Sequence, residues 1–184
     1  YLVDGVIPML PERLSNHLCS LQEGKDRLTY SVFMTVSPRG AVKSFAIRKS
    51  VIRSRRRFTY EQAQHVIDTG KGEFADELGR LNELAMMLTR KRFREGSIDF
   101  NLPEVKFVFG PSGQVLDIVA KPRLQSMRLI EECMLLANRT VAGAIRSAGV
   151  RETQLPFLYR VHDLPDPEKV RELVEFIRHL GLDV

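Results

Sequence analysis

Residues 27–36 read R-L-T-Y-S-V-F-M-T-V and alternate with a period of two. Leu28, Tyr30, Val32, Met34 and Val36 fall on one side, and Thr29, Ser31 and Thr35 on the other. Successive side chains point to opposite faces only in an extended chain, so the pattern predicts a half-buried strand. Ser37-Pro38-Arg39-Gly40 follows and carries the chemistry of a reversal, and residues 42–52 return as a second apolar strand. The pair is a hairpin. Strands and helices mix through the rest of the chain, so helices are expected to pack against the sheet.

Residues 12–21 allow a short helix, after an extended apolar start that Pro8 and Pro11 keep out of helical geometry. Thr59 with Gln62 makes a capping box for a helix over 60–68. Phe74, Leu78, Leu81, Leu84, Ala85 and Leu88 recur at helical spacing, and the cations Arg90 to Arg92 and Arg94 complement the negative end of that helix before Gly96 closes it. Residues 97–100 are expected to be extended. A second strand pair, 106–109 and 115–120, surrounds Gly110-Pro111-Ser112-Gly113. A helix over 124–148 carries the stripe Leu129, Cys133, Leu136, Val141 and Ile145, and Gly149 ends it. A short strand at 158–161 precedes a last helix capped by Asp166, with Pro167 at its first position. Together these predict an α+β fold: a mixed, largely antiparallel sheet with two hairpins, packed by long helices.

Charge narrows the partner. The net charge is +5, which favours a polyanion. The cations concentrate in residues 47–64, where Arg48, Lys49, Arg53, Arg55, Arg56 and Arg57 occur without an acidic residue between them. Tyr60 follows at once, on the first turn of the predicted helix. Cations hold phosphates, and an adjacent aromatic ring can stack on a base or lie against a sugar. The competing reading is a solvated basic strand end with Tyr60 packed under it. Cys19 and Cys133 are expected as buried thiols in a reducing cytoplasm, since neither has metal-ligand spacing around it. No apolar run reaches membrane-spanning length, and no signal peptide is evident.

Catalytic motifs are scarce. The chain has no phosphate-binding glycine loop, no nucleophile elbow and no zinc-binding histidine pair. Of His17, His65, His162 and His179, His162 alone draws interest, beside a strand end. Glu131 and Glu132 sit side by side in an apolar helix. One of them is expected at the core edge, paired with an arginine such as Arg128 or accepting from a ligand hydroxyl. A metal-dependent phosphodiesterase needs clustered carboxylates, and no such cluster of aspartates is present.

Four blocks carry a resemblance. V-I-P-M-L-P-E-R-L-S-N-H-L-C-S-L at residues 6–21, S-V-I-R-S-R-R-R-F-T-Y at 50–60, R-L-I-E-E-C-M-L-L-A-N at 128–138 and L-Y-R-V-H-D at 158–163 stand in one order. They resemble the RNB catalytic domain of the ribonuclease II / ribonuclease R family, closer to the ribonuclease R branch. The resemblance implies processive, metal-dependent removal of 5′-nucleotides from the 3′ end of single-stranded RNA. It implies base stacking by Tyr1 and Phe100, ribose contacts by Tyr60 and Glu131, and phosphate contacts from the basic run, Arg57 foremost. It further implies magnesium, held by aspartates expected outside this sequence. The arginine block that assists cleavage and the flanking RNA-binding domains are also expected outside it, so residues 1–184 are expected to be an internal segment of one RNB domain. Gly5 stands where a larger residue, often arginine, is the pattern. No residue here is assigned the cleavage step. Two rival readings remain at this point: an RNB homologue without cleavage that binds RNA or a protein partner, and a basic scaffold whose matching residues are core positions.

Overall fold

The computed structural model describes residues 2, 5–99, 104–149 (backbone only at 148 and 149) and 157–182. The chain falls into two compact units, residues 1–144 and 145–184.

In the first unit, a single wide turn of π-helix, Arg13–Leu18, follows the extended start. It closes with a bond from the Cys19 N–H to the Leu14 carbonyl at 2.8 Å. The turn buries none of its residues, and Cys19 beyond it is exposed while Cys133 is half-buried, both as free thiols. The expectation of two buried cysteines is therefore corrected: the segment before Cys19 is too short to present a packed face.

Strands β1 (Asp26–Val36) and β2 (Val42–Arg53) pair antiparallel, with Asp26 opposite Arg53 and Val36 opposite Val42. At the turn Gly40 has φ 72°, a left-handed value that a side chain would strain. The shielding of β1 departs from expectation in its first half. Leu28 is 89% exposed and Tyr30 72%, while Thr29 and Ser31 are half-buried. Their hydroxyls meet Ser50 Oγ at 2.8 and 2.6 Å, so the polar face satisfies itself across the strands. The apolar face is shielded only from Val32 onward. Alternation shows that two faces differ, not which one is covered along its whole length.

Helices α1 (Tyr60–Thr69), α2 (Ala75–Arg94) and α3 (Gln125–Gly149) supply the packing. Gly70, with φ 64°, ends α1. Phe74 precedes α2 in the left-handed region at φ 57°, a costly conformation for a bulky residue. It is held edge-on against Phe58, with ring centroids 6.4 Å apart. Among the described residues the buried apolar side chains are Val66, Ala85, Leu88 and Leu129, and the polar Thr89, Ser126 and Glu132 are buried as well. Polar groups at such depth must be hydrogen-bonded to be tolerated, and each is.

Strands β3 (Val105–Phe109) and β4 (Val115–Ala120) form a second antiparallel pair. The two hairpins are separate two-stranded sheets among the described residues, and β4 is exposed along its length.

In the second unit, residues 157–166 carry no regular structure, so the strand expected at 158–161 is corrected to irregular chain. No described strand pairs with it, and an isolated strand has no ladder to stabilise it. Phe157 instead packs edge-on against Tyr159 at 4.9 Å, and His162 is exposed. Helix α4 (Pro167–His179) starts as predicted, with the Asp166 carboxylate accepting from the Glu168 N–H at 2.9 Å. Among the described residues no helix is long and apolar enough to cross a membrane.

Candidate nucleic-acid interface

The capping box forms as the sequence predicts. Thr59 Oγ1 accepts from the Gln62 N–H at 3.2 Å, and Gln62 Oε1 accepts from the Thr59 N–H at 3.0 Å. This fixes Tyr60 as the first residue of α1. The Ser126 hydroxyl donates to the Tyr60 carbonyl at 2.8 Å, and the Ser126 N–H donates to Gln64 Oε1 at 3.0 Å. The first turns of α1 and α3 are thereby stitched together. Between them opens a cleft of about 800 Å³, lined by Arg57, Phe58, Tyr60, Leu78, Leu129 and Ile130, among others. Tyr60 is 44% exposed there, so its ring is not packed away beneath the strand end.

The basic run sorts itself by partner. Arg53 grips Asp26 through two bonds of 2.6 and 2.9 Å. That pairing raises the arginine pKa and holds the Asp26 carboxyl below its ordinary range, chiefly through the hydrogen bond between them. Arg56 lies 3.5 Å from Glu73 and stacks over the Phe58 ring at 5.6 Å. Lys49 stands 5.9 Å over Tyr30. Arg57 is different. Its backbone N–H donates to Glu23 Oε2 at 2.7 Å, while its exposed guanidinium meets no carboxylate among the described residues. Arg57 thus lines the cleft with a charge that no ion pair among the described residues neutralises. Glu61, also on that cleft, is held below the ordinary carboxylate range, first by its own backbone N–H and then by Thr59.

The adjacent glutamates divide. Glu132 is almost fully buried and accepts from Thr89 Oγ1 at 2.9 Å and from Arg92 Nε and Nη2 at 3.0 and 2.8 Å. Glu131 has a side chain 43% exposed and takes a 3.0 Å bond from the same Arg92 Nη2 through its Oε1. The guanidinium pKa is raised, mostly by its hydrogen bonds to Glu132. The partner of the pair is therefore Arg92 and not Arg128, which correction has a simple cause. Arg128 is drawn to Asp99 at 3.1 Å, alongside Arg123 at 2.6 Å, and Asp99 is held below the usual carboxylate range by them. The sequence reading missed Arg92, Thr89 and Ser126 as members of the site. One signal existed: Thr89 and Arg92 stand three residues apart on the edge of the apolar stripe of α2, where two polar groups share a face.

Tyr1 and Phe100 lie outside the described residues, so the expected stacking pair has no geometry here. Burial first and the neighbouring Glu132 second push the Cys133 thiol up, which disfavours the reactive thiolate. Among the described residues no three histidine, cysteine, aspartate or glutamate side chains converge as a metal site requires. These residues do not fit a magnesium centre.

The RNB domain family matches residues 1–183. This chain belongs to the RNB family. The RNB chain is 43% identical over 188 residues to ribonuclease R of Thermotoga maritima, covering 99% of this chain and 26% of that protein. It is 34% identical over 190 residues to ribonuclease R of Escherichia coli, covering 100% of this chain and 23% of that protein. It thus spans about a quarter of the length of these curated relatives. Mycoplasma genitalium RNase R, solved in complex with ribose-methylated single-stranded RNA, matches with a TM-score of 0.83 at 26% identity, over 96% of this chain and 27% of that one. Yeast Ssd1, a pseudonuclease, matches with a TM-score of 0.70 at 22% identity, over 98% of this chain and 22% of that one, a likeness of fold. The α+β architecture predicted for the RNB chain, two antiparallel hairpins with long helices, is the one it has.

Proposed function

We propose that this RNB chain works as part of a 3′-to-5′ exoribonuclease that processively hydrolyses single-stranded RNA to 5′-nucleotides. The observation that carries the reading is the cleft between α1 and α3, lined by Arg57 and the half-exposed Tyr60. Glu131 follows the lining residue Ile130 on α3, outside the cleft's lining, with its side chain half-exposed and held by Arg92. A cation for phosphate, an aromatic ring and a half-exposed carboxylate that accepts from a hydroxyl are what a ribonucleotide requires and a deoxyribonucleotide satisfies only in part. Identity to ribonuclease R along the whole chain supports the same reading.

In this reading Arg57 contacts phosphate, Tyr60 and Glu131 hold ribose, and Tyr1 and Phe100 stack on the terminal bases. Magnesium, which supplies Lewis-acid chemistry at the scissile phosphate, is assigned to aspartates other than the described residues, and none of the described side chains performs cleavage. We place the enzyme in the cytoplasm, consistent with its free thiols. The test is the double substitution Tyr60→Ala with Glu131→Ala in the intact enzyme. Discrimination between RNA and DNA of the same sequence is expected to relax, and unchanged selectivity would sink the assignment.

A further inference from the structure

Glu131 cannot aim itself. It is a flexible side chain at the edge of α3, 43% exposed, and an exposed glutamate ordinarily samples many rotamers at little cost. Here one of its oxygens is held by Arg92 Nη2 at 3.0 Å, while Oε2 accepts no hydrogen bond from the described residues. The guanidinium is itself fixed from the other side. Glu132 takes two bonds from it at 3.0 and 2.8 Å and is locked in turn by Thr89 Oγ1 at 2.9 Å. Thr89 and Arg92 lie on one face of α2, and Glu131 and Glu132 on neighbouring faces of α3. The planar fork of an arginine holds two carboxylates in one fixed geometry, which the three rotatable donors of a lysine do not impose.

We infer that Arg92 is a positioning residue for ribose recognition: anchored on the buried Glu132, it orients the Glu131 carboxylate so that Oε2 faces the ligand hydroxyl. This rests on Glu131 being a ribose contact, as proposed above. The cluster holds two carboxylates against one guanidinium, a net negative charge that suits a hydroxyl donor and repels a phosphate. Arg92 touches no ligand in this arrangement and acts through Glu131.

Removing Arg92 alone would strand Glu132 as an uncompensated buried charge, so Arg92→Ala is a poor probe. Two other variants of the intact enzyme avoid this. Arg92→Lys keeps a charge for Glu132 but offers Glu131 no rigid fork. Arg92→Met with Glu132→Met replaces the buried pair by apolar groups of similar volume, a change such sites often tolerate, and leaves Glu131 unheld. The measurement is the ratio of Kd values for single-stranded DNA and RNA of one sequence, by fluorescence anisotropy in EDTA so that the RNA stays whole, with Glu131→Ala alongside. Each variant is expected to shrink the ratio by about tenfold, the weight of one charge-assisted hydrogen bond. A merely structural role would weaken RNA and DNA binding alike and leave the ratio unmoved. If Glu131→Ala shrinks the ratio while Arg92→Lys and the double methionine variant keep it, the inference about Arg92 is overturned and the ribose reading stands. If Glu131→Ala leaves it unchanged, the ribose reading fails and the inference falls with it. Should Arg92→Lys not fold, the double methionine variant decides alone.

Discussion

The buried Ser126 hydroxyl donates to the Tyr60 carbonyl oxygen at 2.8 Å, joining two helix starts that are 66 residues apart in the chain. Ser126→Ala removes this bond from a side chain only 2% exposed and is expected to cost about 1 kcal/mol of stability. A lower urea midpoint with an unchanged m-value in the intact enzyme would show it. The same variant should bind RNA more weakly, because the cleft wall carrying Tyr60 is then tied to α3 by the Ser126 N–H to Gln64 bond alone.

Glu132 is the deeper acid of the pair, and its loss should matter more to folding than that of Glu131. Glu132→Ala leaves Arg92, 17% exposed, without its principal partner, and breaking a buried pair on one side costs about 3 kcal/mol. Thr89→Val, which removes one neutral donor, should cost about 1 kcal/mol. The order of thermal midpoints, wild type above Thr89→Val above Glu132→Ala, is the check; a Glu132→Ala protein as stable as wild type would contradict the network.

Asp99 is held below its ordinary pKa by Arg123 first and Arg128 second. A depressed carboxyl stabilises the fold fully above its unfolded pKa of about 3.9. That stabilisation fades as the pH falls through the lower folded value. Asp99→Asn should therefore lower Tm at pH 7, and the gap from wild type should close below about pH 4. A gap of constant size down to acid pH would mean that the two arginines do not act through the ionised form.

Arg57 and Arg53 make a controlled comparison. Because the Arg57 guanidinium meets no carboxylate among the described residues, Arg57→Ala should weaken RNA binding and reduce the slope of log affinity against log salt by about one. The Asp26–Arg53 pair is internally neutralised, so Asp26→Ala with Arg53→Ala should leave that slope where it was. Titrations of affinity against salt concentration decide the matter, and equal slopes for the two variants would remove Arg57 from the phosphate contacts.

What the sequence made legible was local. The capping box of Thr59 and Gln62, the turn at Gly40 and the start of α4 at Asp166 are set by residues within a few positions of each other. The order of elements followed from them. The arginine partner of the glutamates was out of reach because it lies 39 and 40 residues away, and Arg128, closer along the chain, is claimed by Asp99. Leu28 and Tyr30 misled for a related reason: their alternation is genuine, but shielding depends on which elements reach that end of the hairpin. The region at 158–161 is apolar enough for a strand, yet strand formation needs a neighbour that periodicity cannot supply.

The tip of the first hairpin rests on α2 without a side chain of its own. A Cβ on Gly40 would stand 3.2 Å from Leu88 Cδ2, and Lys91 Nζ donates to the Gly40 carbonyl at 3.3 Å. Leu88 and Lys91 are the immediate neighbours of Thr89 and Arg92, the two residues that grip Glu132. The gap between loop and helix therefore admits no side chain without a shift of Leu88, and a larger residue at position 40 presses on the helical turn that carries Thr89 and Arg92. Loop thickness and the grip on Glu132 become one mechanical setting, so a substitution at this buried tip reaches the Thr89–Glu132–Arg92 cluster through a single turn of helix.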